Sequence, residues 1–252
     1  MNNQDPRRYQ APPHLLADRV ILVTGAGGGI GREAALAYAR HGASVVLLDR
    51  SVPGLEGAYD DIEAAGGPQP AIYPMDLLGA TPDDYADLAA NLTSNFGRLD
   101  GLLSNAAVLG DLTPIDHYPP ETWAQVLHIN LNAPFLLIQA LLPLLRRAPD
   151  AAILLTTAAV GARGRAYWGA YAAANAGLEN LGQVLAHELE DTTVRVNAID
   201  PGPVRTALRK RAYPGENPAH LALPADIMPA YLFLMGADSM GITGLRHLAQ
   251  DA

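Results

Sequence analysis

Twelve consecutive residues set the architecture of this chain: Val20-Ile21-Leu22-Val23-Thr24-Gly25-Ala26-Gly27-Gly28-Gly29-Ile30-Gly31. The four aliphatic residues at the start predict a short buried strand, which ends where the glycines begin. From Ile30 to His41 the apolar residues recur every three to four positions, which predicts a helix that Gly42 ends. A strand, a glycine-rich turn and a helix in this order are typical of the first unit of a parallel α/β sheet.

The rest of the chain repeats this alternation of strands and helices. Its short segments are almost wholly apolar, as expected for parallel strands covered on both faces. The further predicted strands are 45–48, 71–73, 99–103, 152–155 and 194–199. The further predicted helices are 55–65, 83–96, 121–147, 167–189 and 227–234. The sequence therefore predicts a Rossmann-type doubly wound parallel sheet with three layers, forming one domain over residues 18–252.

Composition excludes several classes of protein. The chain has 252 residues, a formal net charge of −9 and no cysteine, so disulfides, thiolate catalysis and cysteine-bound zinc are ruled out. Its 49% hydrophobic and 17% charged residues exclude a disordered chain. The acidic balance, without a basic run, argues against nucleic acid or an acidic membrane surface as partner. The seven histidines are scattered without ligand spacing, so no metal site is predicted.

Three segments are predicted to lie outside the regular pattern or to resemble targeting signals. Residues 1–17 read as a flexible N-terminal arm, and their polar composition does not fit a signal peptide. The most apolar stretch, 133–145, is too short to cross a bilayer, so a cytoplasmic protein is expected. Residues 205–223 are irregular and are predicted to form a mobile flap near the substrate.

The glycine-rich turn points to a dinucleotide. Glycines let the backbone approach a pyrophosphate closely, and the helix N-terminus supplies unpaired N–H groups. A tight turn that binds nothing is the alternative. Asp49 ends the second predicted strand about 20 residues further on, where an acid accepts hydrogen bonds from the ribose hydroxyls and repels a 2′-phosphate. This favours NAD over NADP, although Arg50 could hold a 2′-phosphate and Asp49 could be a solvated strand end.

With these residues the chain resembles the short-chain dehydrogenase/reductase family over about residues 18–244. The glycine pattern, Asn105-Ala106-Ala107, Tyr171 and the loop Pro201–Thr206 follow one another in the family's order. The cofactor-binding residues that the resemblance implies are Gly25, Gly29, Ile30, Gly31, Asp49, Arg50, Asp76, Leu77, Asn105, Ala106, Pro201, Gly202, Val204 and Thr206. A closer likeness to the YciK-type bacterial branch rests on residues 160–173 and 224–229.

The resemblance breaks at two catalytic positions. It implies that Tyr171 is the catalytic acid or base, and that Asn130 holds a water or the local backbone. The family's lysine, four residues after the tyrosine, corresponds to Asn175, and its serine, 13 residues before, corresponds to Ala158. The only lysine of the chain, Lys210, lies 39 residues beyond Tyr171 and does not match the catalytic position.

The two substitutions remove the groups that handle the proton. A free tyrosine has a pKa of about 10, and a neighbouring ammonium favours the tyrosinate that catalysis uses. Asparagine carries no charge, and alanine has no hydroxyl to polarise a substrate oxygen. Compensation by Thr156, Thr157 or the guanidinium groups of Arg163 and Arg165 remains open.

Two readings of the function follow. The first is an NAD(P)-dependent oxidoreductase that moves a hydride to or from a small carbonyl or alcohol, with weak or unusual catalysis. The second is a non-catalytic NAD(P)-binding protein that acts as a sensor or scaffold. By resemblance to the family, helices 121–147 and 167–189 are expected to pair copies of the chain into a homodimer or homotetramer.

Overall fold

A computed structural model describes residues 5–251. Over these residues, seven strands form one sheet in the order β3-β2-β1-β4-β5-β6-β7, and every neighbouring pair is parallel. The strands are β1 Val20–Thr24, β2 Ser44–Asp49, β3 Ala71–Pro74, β4 Gly101–Ser104, β5 Ala151–Thr156, β6 Val194–Asp200 and β7 Arg246–Leu248. The strand order reverses between β1 and β4, which leaves a crevice at the carboxyl ends of the strands. The predicted fold class is confirmed.

The helices cover both faces of this sheet. They are α1 Gly29–Arg40, α2 Val52–Ala64, α3 Pro82–Phe96, α4 Pro120–Leu127, α5 Ala133–Leu145, α6 Ala159–Ala162, α7 Gly169–Glu188, α8 Ala207–Ala212 and α9 Met228–Met235. Successive strand residues point to opposite faces, so Ile21 and Val23 pack with α1, α2 and α9. Leu22 packs in a second core with α3, α5 and α7. The two cores give the predicted three layers.

The long predicted helix 121–147 contains a π-turn. α4 and α5 are joined by residues His128–Asn132, which wind as one π-helical turn. Such turns often mark functional sites, because the wider backbone ring re-aims one side chain. Here the re-aimed segment carries Asn130.

The combined helix Pro120–Leu145 is long and apolar enough to cross a membrane by length and composition alone. In the structure its apolar residues are part of the core. Leu137, Ile138 and Leu141 are buried against the sheet and α3. Its hydropathy is that of a core helix covering a parallel sheet.

The N-terminal segment packs against the domain instead of extending from it. Residues 1–4 lie outside the described part of the chain. In the remainder of the predicted arm, Tyr9 is 4% exposed and its ring meets that of Phe233 edge-on at 5.2 Å. The Tyr9 hydroxyl donates a hydrogen bond to Asp238 at 2.7 Å, and Leu16 is fully buried. This packing differs from the loose arm that the polar composition predicts.

Candidate active site

A cavity of about 1050 Å³ lies at the carboxyl ends of the strands. The glycine-rich turn and the ends of β2 and β3 form one half of it. The segments after β5 and β6 form the other half. Nearly all predicted cofactor residues line this cavity: Gly25, Gly29, Ile30, Asp49, Arg50, Asp76, Leu77, Asn105, Ala106, Pro201, Gly202, Val204 and Thr206. Gly31, Asn130 and Asn175 lie behind its wall.

The glycine-rich turn has the shape needed to hold a phosphate group. Gly25 and Gly29 adopt φ values of 70° and 55°, which side chains rarely tolerate. A Cβ on Gly31 would lie 2.2 Å from the Gly25 carbonyl oxygen, so this glycine lets α1 approach the turn. A Cβ on Gly28 would meet nothing within 4 Å, because that position faces open space at the helix N-terminus. The turn therefore fits the pyrophosphate of a dinucleotide.

Asp49 and Arg50 stand side by side at the end of β2, with different surroundings. The Asp49 carboxylate accepts hydrogen bonds from the backbone N–H groups of Gly27 at 3.2 Å and Ser51 at 2.9 Å. Arg50 is exposed and lines the cavity. Among the described residues it has no acidic partner within salt-bridge distance. The carboxylate is thus oriented by the backbone, while the neighbouring guanidinium is available to an anion.

The crevice between β1 and β4 is held by a short polar network. The Thr24 hydroxyl accepts hydrogen bonds from the backbone N–H groups of Asn105 at 2.9 Å and Ala106 at 3.1 Å. The side-chain amide of Asn105 donates to the Thr24 carbonyl at 3.3 Å. Thr24 is buried, and sequence reasoning assigned it no role because a threonine at a strand end is unremarkable. Its contacts bring Asn105 and Ala106 beside the glycine-rich turn.

Asn130 acts on the backbone of the loop after β4. Its Oδ1 accepts a hydrogen bond from the Val108 N–H, and its Nδ2 donates to the Val108 carbonyl, both at 2.9 Å. The side chain is buried, with both polar ends used by one residue. Of the two predicted roles, holding a water or holding the backbone, the geometry supports the second.

Tyr171 lies on α7 at the centre of the cavity, without a nearby cation at the family's lysine position. Asn175, one helical turn later, is buried, and its Nδ2 donates to the Tyr171 carbonyl at 2.8 Å. Burial raises the pKa of Tyr171 to about 12, and the negative charge of Asp200 acts in the same direction. At neutral pH the phenol therefore stays protonated.

The neighbours of Ala158 supply no replacement hydroxyl on the cavity wall. Ala158 caps α6, lines the cavity and has no hydrogen-bond donor of its own beyond the backbone. Thr157 is 2% exposed, and its hydroxyl is directed towards the Ile199 carbonyl at 3.5 Å. The Thr156 hydroxyl is buried without a hydrogen-bond partner among the described residues. Strand alternation predicts the direction of Thr157, and the structure agrees.

Asp200 is a buried carboxylate on the cavity wall that sequence reasoning did not single out. Arg246 on β7 donates to it at 2.6 Å and also to Glu179 on α7 at 2.9 Å. These three residues join the last strand to the helix that carries Tyr171. The only sequence signal was an acid immediately before Pro201-Gly202, and its partner lies on β7, a strand too short and polar for an apolar pattern to reveal.

The substrate half of the cavity has an aromatic wall. Trp168 contacts Tyr171 at 5.8 Å and Tyr213 at 5.7 Å between ring centroids. The predicted flap, 205–223, covers this wall and contains α8, whose N-terminus Thr206 caps by accepting from the Arg209 N–H at 3.1 Å. The Tyr213 ring is stacked under the Arg209 guanidinium at 3.9 Å. The segment is thus held over the cavity by specific contacts.

Comparison with known proteins agrees with this geometry. Residues 19–217 match the family described as short chain dehydrogenase. The uncharacterized oxidoreductase YciK of Escherichia coli K12 is 48% identical over 242 residues, covering 96% of this chain and 96% of that protein. A solved short chain dehydrogenase of Pseudomonas syringae is 53% identical with a TM-score of 0.95, over 96% of this chain and 98% of that one.

A third relative carries a bound cofactor. The solved short chain dehydrogenase of Shigella flexneri 2a, complexed with NADP, is 48% identical with a TM-score of 0.93, over 95% of this chain and 100% of that one. The match of fold, glycine-rich turn and central tyrosine therefore has one explanation: this chain belongs to the short chain dehydrogenase family.

Proposed function

We propose that this chain binds NADP(H) and acts as an oxidoreductase in which proton transfer is impaired. The carrying observation is the contrast within one cavity. The turn that fits a pyrophosphate is intact, whereas the lysine and serine positions hold Asn175 and Ala158. Binding is therefore expected at ordinary strength, with turnover far below that of a complete site.

The preference for NADP over NAD reverses the expectation from Asp49. The Asp49 carboxylate accepts two backbone hydrogen bonds, which hold it towards the glycine-rich turn. Arg50 beside it is exposed and without an acidic partner among the described residues, so it is suited to a 2′-phosphate. The NADP complex of the Shigella relative supports the same choice.

Titration with NADPH and NADH, followed by nicotinamide fluorescence, tests this preference. NADPH should bind at least about tenfold more tightly, because a guanidinium–phosphate contact contributes about 1.5–3 kcal/mol. Arg50→Gln should remove that advantage and leave NADH binding unchanged. Arg40→Gln, which removes the same charge at the exposed far end of α1, should change neither. Equal affinities in the parent protein would overturn the assignment.

The protonated state of Tyr171 favours one direction of reaction. Bound NADPH would supply the hydride for reduction of a carbonyl. A neutral phenol donates a proton to the developing alkoxide, so Tyr171 can serve reduction at neutral pH. Oxidation of an alcohol needs the tyrosinate as acceptor, and this form is scarce below a pKa of about 12. Without a donor at Ala158, both directions lose about a hundredfold or more.

A second candidate is a non-catalytic NADP(H) sensor or scaffold. The observation in its favour is that both proton-handling positions are neutral while the cofactor half keeps its predicted residues. Single-turnover reduction of an aldehyde and diketone panel by the NADPH complex distinguishes the two. A slow rate abolished by Tyr171→Phe supports the oxidoreductase, and a rate unaffected by that change supports the sensor.

The remaining expectations complete the proposal. The protein is proposed to be cytoplasmic, to act on a small carbonyl or alcohol, and to form a homodimer or homotetramer through the faces of α4, α5 and α7.

A further inference from the structure

Two guanidinium groups line the substrate half of the cavity without a carboxylate to balance them. Arg163 and Arg165 lie on the loop between α6 and α7, and both border the cavity. Neither forms an ion pair with any acid in residues 5–251. Arg209, on the opposite side, differs because Glu216 binds it through two hydrogen bonds of 2.7 and 2.6 Å. Positive charge is thus left free at one edge only.

These arginines do not belong to the half that would hold the pyrophosphate. The glycine-rich turn follows β1, whereas the loop of Arg163 and Arg165 follows β5, two strands further along the sheet. Adjacent strands lie about 4.8 Å apart, so the two positions are separated by about 10 Å at the sheet alone. A dinucleotide phosphate on the turn therefore leaves these guanidinium groups unused.

The free charge lies at the end of an aromatic row. Tyr171, Trp168 and Tyr213 follow one another with centroid separations below 6 Å. Arg165 donates a hydrogen bond to the Tyr213 hydroxyl at 2.8 Å, which places its guanidinium at the outer end of the row. In a protein with a net charge of −9, such a positive edge is a local attraction for anions.

We propose that the substrate half takes a small carboxylic acid with an aromatic or cyclic apolar body. The ring of this ligand lies along Trp168 and Tyr213, and its carboxylate binds Arg163 and Arg165. Guanidinium groups suit a carboxylate because their paired N–H donors match its two oxygens. The assignment rests on the proposed function, since that function puts the reacting group of the ligand beside Tyr171.

Calorimetry with naphthoate, naphthylmethanol and acetate tests the assignment on the free protein and on its NADPH complex. Naphthoate should bind about tenfold more tightly than the neutral alcohol or the ringless acid. Arg163→Gln and Arg165→Gln should each weaken naphthoate by about fivefold, the upper range for a solvent-exposed ion pair. Neither change should alter the affinity for naphthylmethanol.

Lys210→Gln is the matched control. It removes one positive charge from the same rim region, but Lys210 does not line the cavity. This variant should bind naphthoate as the parent does. Equal binding of acid and alcohol, or an equal loss in Lys210→Gln, would overturn the inference. Acetate binding as tightly as naphthoate would overturn the aromatic part. Failure of NADPH to bind would instead count against the proposed function, because the free-protein titration reports on the rim alone.

Discussion

Replacing Asn175 with lysine should restore the missing cation beside Tyr171. Side chains one helical turn apart lie about 5–6 Å from each other. At 5 Å and an effective dielectric constant of about 20, an ammonium stabilises the tyrosinate by about 3 kcal/mol. This corresponds to about 2.4 pKa units. The pKa of Tyr171, raised by burial to about 12 in the parent protein, should fall to between about 9 and 10.

The consequence is largest for alcohol oxidation. A raised pKa means that the proton-accepting form is lost as pH falls below about 12. At pH 8 the tyrosinate fraction should be about one in ten thousand in the parent and about one in forty in Asn175→Lys. Oxidation by the NADP complex should therefore rise about tenfold per pH unit in the parent, and should level off near the lowered pKa in the variant.

The assay does not depend on knowing the substrate. Tyrosinate absorbance is titrated in each protein, and the curve of its Tyr171→Phe derivative is subtracted, which isolates this phenol from the other tyrosines. Asn175→Met is the matched control, because methionine fills a similar length without charge. If Asn175→Lys and Asn175→Met give the same pKa for Tyr171, the proposed loss of an electrostatic partner is refuted.

Four further outcomes are expected. Adding Ala158→Ser to Asn175→Lys should raise aldehyde or diketone reduction by at least about a hundredfold, and no gain in a folded, NADPH-binding double variant would contradict the account of the two missing groups. Gly31→Ala should cost about 1–3 kcal/mol in urea unfolding, because its Cβ would lie 2.2 Å from a carbonyl oxygen, whereas Gly28→Ala, with nothing within 4 Å, should be nearly neutral. Tyr9→Ala should cost about 3 kcal/mol in the same assay, and a change below about 0.5 kcal/mol would mean that the arm is not docked. Light scattering should give the mass of a dimer or tetramer, and a monomer would contradict the proposed pairing.

Local pattern was enough for the sheet and the turn. The aliphatic runs of β1, β2, β5 and β6 are readable because parallel strands are buried on both faces and exclude polar residues. The turn is readable because its glycines have positive φ values or lie against backbone atoms, which restricts the residue type. Strand β7 escaped prediction, since Arg246-His247-Leu248 has neither an apolar run nor alternation.

The contacts of the site depended on residues far apart in the chain. Asn130 meets Val108 across 22 positions, and Arg246 meets Glu179 across 67. Nothing in the local sequence of either partner indicates the other, because the sheet order and the π-turn decide which side chains meet. The docking of Tyr9 onto Phe233 is of the same kind, and composition alone predicts an arm there.

What the sequence by itself determined was a limit on the chemistry. With one lysine in the chain, 39 residues beyond Tyr171, and alanine at the serine position, the family's proton-handling groups are absent whatever the fold does. The tertiary structure decided the state of what remains. It buried Tyr171 near Asp200 and turned Asn175 onto the backbone, and it left Arg163 and Arg165 without acidic partners at the cavity edge. Residue identity sets which charges exist, whereas burial and distance set how strongly they act.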